Sequence, residues 1–219
     1  MLKFVLRAVG ALALVALVSA PAFAQGGFGG KAGVNLANIS ISDDTDLTNK
    51  SSRTGLVAGI FGFVKLGQAF ALQAEGLYSQ QGFQASDAGE TLTLKIDYFQ
   101  VPLLAKVMVP TSGSVAPNFF LGPAVSFEAS CNLAADDGQG NLLEVGCDDP
   151  AADLSARKRT DFGLVGGVGL DVISGALLFG VEARYNLGLA NLDDSGDGDT
   201  AKTRVLAILG NIAFYSPGS

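Results

Sequence analysis

An all-β fold, an eight-stranded antiparallel transmembrane β-barrel, is what this 219-residue chain predicts. Three observations carry that expectation. From about Phe28 to Phe214 the sequence falls into segments of roughly ten residues in which apolar residues alternate with small or polar ones. The N-terminus has the form of an export signal. No later segment holds the run of about 20 apolar residues that a spanning helix needs. The clearest segment is Leu177-Leu178-Phe179-Gly180-Val181-Glu182-Ala183-Arg184-Tyr185-Asn186-Leu187. Successive side chains of a strand point to opposite faces, so one face here is apolar and the other charged.

Lys3 and Arg7 precede a short apolar core, Ala8 to Val18, and Pro21-Ala22-Phe23-Ala24 ends in an Ala-x-Ala pattern. Residues 1–24 are therefore expected to be a cleaved signal peptide and residues 25–219 one barrel domain. A membrane anchor is the alternative, and the apolar core is short for one. The net charge is −7, and loss of Lys3 and Arg7 makes the remainder more acidic. That excludes nucleic acid, whose phosphates require a basic surface. The 29 glycines suit walls that bend tightly and a lumen that must not overfill. The chain has no Trp, so Phe and Tyr must mark the membrane interfaces.

The eight strands are expected near Gly29–Ile39, Thr54–Leu66, Gln68–Gln81, Thr91–Val109, Pro117–Ala129, Thr160–Ile173, Ala176–Leu189 and Thr203–Phe214. Short connections at Leu66-Gly67-Gln68, Pro110–Ala116 and Ser174-Gly175 alternate with long ones at Ser40–Arg53, Gly82–Glu90, Ser130–Arg159 and Ala190–Lys202. Short periplasmic turns and long extracellular loops are the outer-membrane pattern. Eight strands leave an interior that side chains can fill.

With the N-terminus at the periplasmic rim, Phe28, Phe70, Phe119, Phe179 and Phe214 fall near the lower strand ends. Tyr78, Phe127, Phe162 and Tyr185 fall near the upper ends. Two aromatic girdles are thus expected. Most acids lie in the predicted long loops, among them Asp87, Glu90, Asp136 and Glu144. The strand charges form the candidate lumen network: Lys31, Glu75, Lys95, Asp97, Lys106, Glu128, Asp171, Glu182 and Arg184. A charge facing lipid at mid-depth would cost roughly 2–4 kcal/mol. Lys95 and Asp97 share one parity and Lys106 takes the other, which predicts a bulge near Gln100 to Pro102. Glu182 and Arg184 share a face, with Asp171 and Glu128 as candidate partners across the lumen.

The chain resembles the small outer-membrane β-barrels of the porin family or PorT type, kin in architecture to OmpX and the OmpA transmembrane domain. The resemblance rests on Lys31-Ala32-Gly33-Val34-Asn35, on Leu72-Gln73-Ala74-Glu75-Gly76-Leu77-Tyr78-Ser79-Gln80-Gln81-Gly82 and on Tyr98-Phe99-Gln100-Val101-Pro102-Leu103-Leu104. Phe120-Leu121-Gly122-Pro123 and Asp161-Phe162-Gly163 add to it. It covers nearly all of the chain after the signal. It implies residence in the Gram-negative outer membrane, contact with its lipid and lipopolysaccharide, and insertion by the β-barrel assembly machinery. Such barrels commonly end on a terminal aromatic which that machinery reads. Here Phe214-Tyr215 is followed by Ser216-Pro217-Gly218-Ser219, a departure from the pattern.

The remaining motifs are few. Cys131 and Cys147 both fall in the longest predicted loop. In an exported chain they are expected to form a disulfide, with two free thiols as the alternative. Two thiolates without His are too few for structural zinc. The run from Asp193 to Asp199 has calcium-loop-like spacing, with Asp193, Asp197 and Asp199 as ligands. Position 204, where such a loop wants Glu, is Arg, so a solvated acidic loop is the preferred reading. Arg157-Lys158-Arg159 either grips lipopolysaccharide or balances Asp148, Asp149 and Asp153; both readings stand open. No cofactor is expected.

The absence of His from the chain argues against the usual outer-membrane enzymes, which lean on a His general base. The expectation is a non-enzymatic outer-membrane barrel whose loops serve adhesion, protection or a structural role, reaching an extracellular ligand through those loops. A narrow channel for ions or small solutes is the second reading. A soluble periplasmic lipid carrier is the third, and would need apolar side chains inside and polar ones outside.

Overall fold

The alternating segments become long strands. The computed structural model describes residues 25–41, 50–87, 90–136, 142–150, 159–189 and 201–216. Among these the strands are β1 Gly26–Ile41, β2 Lys50–Lys65, β3 Phe70–Asp87, β4 Glu90–Met108, β5 Val115–Asp136, β6 Leu142–Gly146, β7 Thr160–Ser174, β8 Leu177–Gly188 and β9 Ala201–Ser216. Every pairing is antiparallel, in the order β4-β3-β2-β1-β9-β8-β7-β5, and β4 pairs with β5 to close the ring. Eight strands form the barrel. β6 pairs only with the upper end of β5 and stands outside the ring.

The short turns at 66–69, 109–114 and 175–176 lie on one rim. Gly67 and Gly175 take φ of 119° and 61° there, a region closed to most L-residues, so glycine makes these reversals possible. Short turns assign this rim to the periplasmic side of an outer-membrane barrel, and it also carries the start of β1 beside the end of β9, Gly26 opposite Ser216.

The opposite rim differs from the sequence expectation. The segment Gly82–Glu90 is not a long loop: the β3–β4 ladder runs on until Asp87 faces Glu90. β5 continues to Asp136, pairing there with both Thr91 and Leu142. Asp87, Glu90, Asp136 and Glu144 accordingly sit on strands. The physical reason is solvation. Above the hydrocarbon the outward face meets water and no longer needs apolar residues, so Lys95 and Asp97 stand there while Leu94, Ile96 and Tyr98 keep the other face packed and the backbone ladder continues. β3 through β6 thus form a sheet projecting beyond the barrel, packed around Leu94, Ile96, Tyr98 and Cys147.

The expected bulge is also displaced. The β3–β4 register is unbroken from Leu77↔Gln100 to Ala74↔Leu103, and Pro102 is a buried lumen residue. The irregularity lies in β5, where Ala129 is extra between Asp97↔Ser130 and Tyr98↔Glu128.

Below the outer rim the outward face is apolar. Phe28, Ile60, Phe119, Leu121, Ile208 and Phe214 are all more than half exposed, with Ile60 at 71%. A continuous apolar belt of this kind requires lipid around it. It overturns the calyx alternative, which needs a polar exterior.

Candidate functional site

The lumen holds a four-membered ion cluster at mid-height. Lys31 comes from β1, Glu75 from β3, Glu182 and Arg184 from β8. Lys31 Nζ lies 2.7 Å from Glu75 Oε1 and 3.0 Å from Glu182 Oε1. Arg184 grips Glu75 at two points, Nη1 to Oε2 at 2.7 Å and Nη2 to Oε1 at 3.0 Å, and Nη2 also donates to Glu182 Oε1. Gln73 Nε2 donates to Glu75 Oε1 at 2.6 Å. Each carboxylate therefore meets both cations, and the set is neutral. Planar two-point pairing of guanidinium and carboxylate is the strong form of this contact.

The four side chains are at most 4% exposed. The wall makes room for them with small residues: Arg184 is paired with Gly167 and Ala207, Lys31 with Gly59, Glu182 with Gly169. Aromatic faces complete the enclosure. Lys31 Nζ stands 4.7 Å over the Phe61 ring, and the Arg184 guanidinium 5.5 Å from the Phe120 centroid, both within cation–π range.

Apolar layers bound the cluster. Toward the periplasm, Phe61, Phe63, Leu178 and Ala213 pack with Ile173 and Tyr215. Toward the outer rim, Val57, Leu77, Ala207 and Leu209 pack together. A second polar group sits low in the lumen. Lys106 Nζ is 2.7 Å from Asp171 Oδ2, which also accepts from Asn118 Nδ2 at 3.1 Å. Asp171 and Asn211 lean toward each other over Gly180, where a Cβ would lie 2.5 Å from Asp171 Oδ1. In the upper lumen, Asn35 bonds Ser79, Gln100 bonds Ser126, and Thr203 bonds Asp161.

Among the described residues, two small cavities of about 20 Å³ each lie in the lumen. One lies among Gln81, Tyr98, Gln100 and Asp161; the other lies among Phe61, Lys106, Asp171 and Tyr215. Each has room for single waters and no more. The four-membered cluster lines neither of them. Such an arrangement obstructs a wet path rather than lining one.

Of the nine predicted lumen charges, Lys31, Glu75, Glu182 and Arg184 meet in the cluster, and Lys106 and Asp171 form the lower pair. Lys95 and Asp97 do not enter the lumen. Leu94, Ile96 and Tyr98 take the inward positions there, so both charges face outward. Lys95 pairs with Glu144 of β6 at 3.1 Å. Asp97 accepts from Tyr78 Oη at 2.6 Å and Ser130 Oγ at 2.9 Å. Near the outer rim an outward charge meets headgroups and water, so the penalty that drives charges inward at mid-depth no longer applies. Glu128 sits half-buried at the β5 bulge. The partner of Arg184 across the lumen is Glu75, in place of the expected Asp171 and Glu128. Gln73, Phe61, Asn118 and Phe120 went unforeseen. Gln73 had a signal in sharing the parity of Glu75, and Phe61, Asn118 and Phe120 in alternating with the outward Ile60, Phe119 and Leu121.

Phe70, Tyr78, Phe119, Phe162, Phe179, Tyr185 and Phe214 are exposed on the outer face, and Phe127 is half-buried. Phe28 and Phe214 have ring centroids 5.6 Å apart. Tyr215 turns inward and stacks on Phe63. Cys131 and Cys147 form a disulfide joining β5 to the end of β6, with Cα atoms 5.4 Å apart. Asp193, Asp197 and Asp199 lie outside the described residues, as do Arg157, Lys158 and the predicted signal. Among the described residues no group of three His, Cys, Asp or Glu side chains is placed to hold a metal ion.

An apolar exterior around a closed, charge-filled lumen defines an integral membrane β-barrel. The chain belongs to the outer membrane protein beta-barrel domain family, whose model matches residues 23–194, and its place is the outer membrane. No curated protein sequence matches it. Among solved structures it is similar to Neisserial surface protein A, at 15% identity and a TM-score of 0.48, covering 85% of this chain and 96% of that one. It is similar to Ail, the attachment invasion locus protein of Yersinia pestis, solved in complex with the heparin analogue sucrose octasulfate. There the identity is 13% and the TM-score 0.44, covering 88% of this chain and 99% of that one. The N-terminal β-barrel domain of OprF from Pseudomonas aeruginosa is similar at 10% identity and a TM-score of 0.35, covering 83% and 96%.

Proposed function

We propose that this protein is a non-enzymatic, non-conducting outer-membrane barrel that carries a disulfide-clamped sheet and acidic loops outside the cell, for adhesion, protection or a structural role. The observation that supports this reading most is the neutral Lys31–Glu75–Glu182–Arg184 cluster set between two apolar layers. A pore needs a continuous hydrated path; here paired side chains from β1, β3 and β8 span the lumen. Residues 1–24 act as a cleaved export signal, the assembly machinery inserts the barrel, and the outward aromatics anchor it against lipid and lipopolysaccharide. The extracellular ligand is reached through the β3–β6 sheet and its loops.

Planar-bilayer recording of the purified full chain tests the closed lumen. The expected record is flat, without a steady conductance. A stable open channel in the unmodified protein refutes the reading and puts the narrow channel for ions or small solutes in its place. Attachment to host cells and survival in serum, compared between bacteria with and without the gene, separate adhesion from protection. A difference in neither leaves the structural role.

A further inference from the structure

Among the described residues, the lipid-facing wall carries an apolar recess. Where β1, β2, β8 and β9 run side by side near the periplasmic rim, a cavity of about 340 Å³ opens on the outside of the barrel. Its floor is the backbone at Gly30, and its walls are Phe28, Ile60, Leu177, Ile212 and Phe214. The register explains it. Gly30 is paired with Ile60 on one side and Ile212 on the other, so the missing side chain leaves a trough between two ridges. One step toward the rim, Phe28 is paired with Phe214 and their rings close the trough from below. One step above, Ala32 is paired with Ala58 and Gly210. The recess is not forced by crowding: a Cβ on Gly30 would find its nearest neighbour, the Gly59 carbonyl oxygen, at 3.7 Å.

We propose that this groove holds one acyl chain of an inner-leaflet phospholipid as a fixed ligand. The groove is continuous with the lipid-facing wall and sits at the periplasmic end, so phospholipid of that leaflet is what borders it. Its lining is apolar, and its volume takes about ten methylene-sized groups, counting each as roughly the 30 Å³ share of a liquid water. An acyl chain on a bulky wall touches side-chain tips; here it reaches the backbone between two isoleucines and gains contacts on three sides. Small residues serve membrane proteins in this way, by letting a neighbour approach the backbone closely. A second barrel is a poorer occupant. Its convex wall would rest on the Ile60 and Ile212 ridges and leave the floor empty.

Native mass spectrometry of the full chain in mild detergent, titrated with palmitoyl-oleoyl phosphatidylethanolamine, tests the groove. The unmodified barrel is expected to retain one lipid at concentrations where Gly30→Leu, whose side chain fills the trough, retains about tenfold less. Ala105→Leu, an outward position on β4 away from the groove, is expected to match the unmodified protein. Equal retention by all three overturns the proposal, and so does a dimer that disappears in Gly30→Leu, which would make a second copy the occupant. If Gly30→Leu does not fold, the unmodified protein in phosphatidylethanolamine vesicles carrying a diazirine acyl chain decides. Photoadducts concentrated near Phe28, Ile60 and Ile212 support the site, and adducts spread evenly over the outward wall refute it.

Discussion

Removing Arg184 from the lumen should destabilise the barrel and open it. In Arg184→Ala, Glu75 keeps Lys31 at 2.7 Å and Gln73 at 2.6 Å, but loses its two-point partner. Glu182 keeps only its share of Lys31. One cation then faces two carboxylates in a layer closed to water. Breaking a buried pair in this way costs about 3–5 kcal/mol, on the order of a hundred- to a few-thousand-fold in the folding equilibrium. The companion variant separates charge imbalance from lost packing. Glu75→Gln with Arg184→Met leaves Lys31 and Glu182 as a balanced pair, so the double variant should lose about 2 kcal/mol less than the sum of the losses in Glu75→Gln and Arg184→Met alone. Urea unfolding in detergent micelles, followed by the heat-sensitive shift on gels, measures each value. In planar bilayers Arg184→Ala should conduct where the unmodified protein does not. Unchanged stability in Arg184→Ala, or strict additivity in the double variant, would refute the idea that the four charges act as one unit.

Four further outcomes are expected. Thiol labelling of the unreduced protein should give no adduct. The double substitution Cys131→Ser with Cys147→Ser should leave the barrel's unfolding midpoint unchanged: a loop of this size is worth roughly 3 kcal/mol in the chain-entropy model, yet the bond joins β5 to β6 outside the closed ring. Gly180→Ala should cost about 1–3 kcal/mol by overpacking, since its Cβ would fall 2.5 Å from Asp171 and 2.7 Å from the Asn211 amide; urea midpoints equal to wild type would contradict that geometry. The mature chain should sediment with outer membranes and begin at Gln25 by N-terminal sequencing; recovery from the periplasm without detergent, or an intact Met1, would contradict the export reading.

The barrel itself was legible because lipid imposes a two-residue period on its walls. Ile60, Phe119, Leu121 and Phe214 had to face outward, and Glu75, Glu182 and Arg184 inward, wherever hydrocarbon surrounds the strand. That rule weakens near the outer rim. It placed Lys95 and Asp97 in the lumen, where Ile96 and Tyr98 belong, and it stopped β3 at Gln81 although the ladder runs to Asp87. Parity also names a face but not a partner. Glu75 and Arg184 are 109 residues apart, and nothing local in either segment sets the barrel's stagger, which brings them together. The disulfide was accessible because two cysteines in an exported chain leave one pairing.

The β1–β9 ladder, unbroken from Gly26↔Ser216 to Ile41↔Ala201, joins the two ends of the described chain. Until it forms, β1 and β9 each keep one edge of unpaired amides and carbonyls, and hydrocarbon offers those groups no substitute partner. A partly assembled wall therefore has no comfortable place in the bilayer interior. Closing this contact brings together the most distant segments of the described chain, the slowest kind of pairing to find. Insertion and closure should consequently be a single event, completed when the chain's own two margins meet.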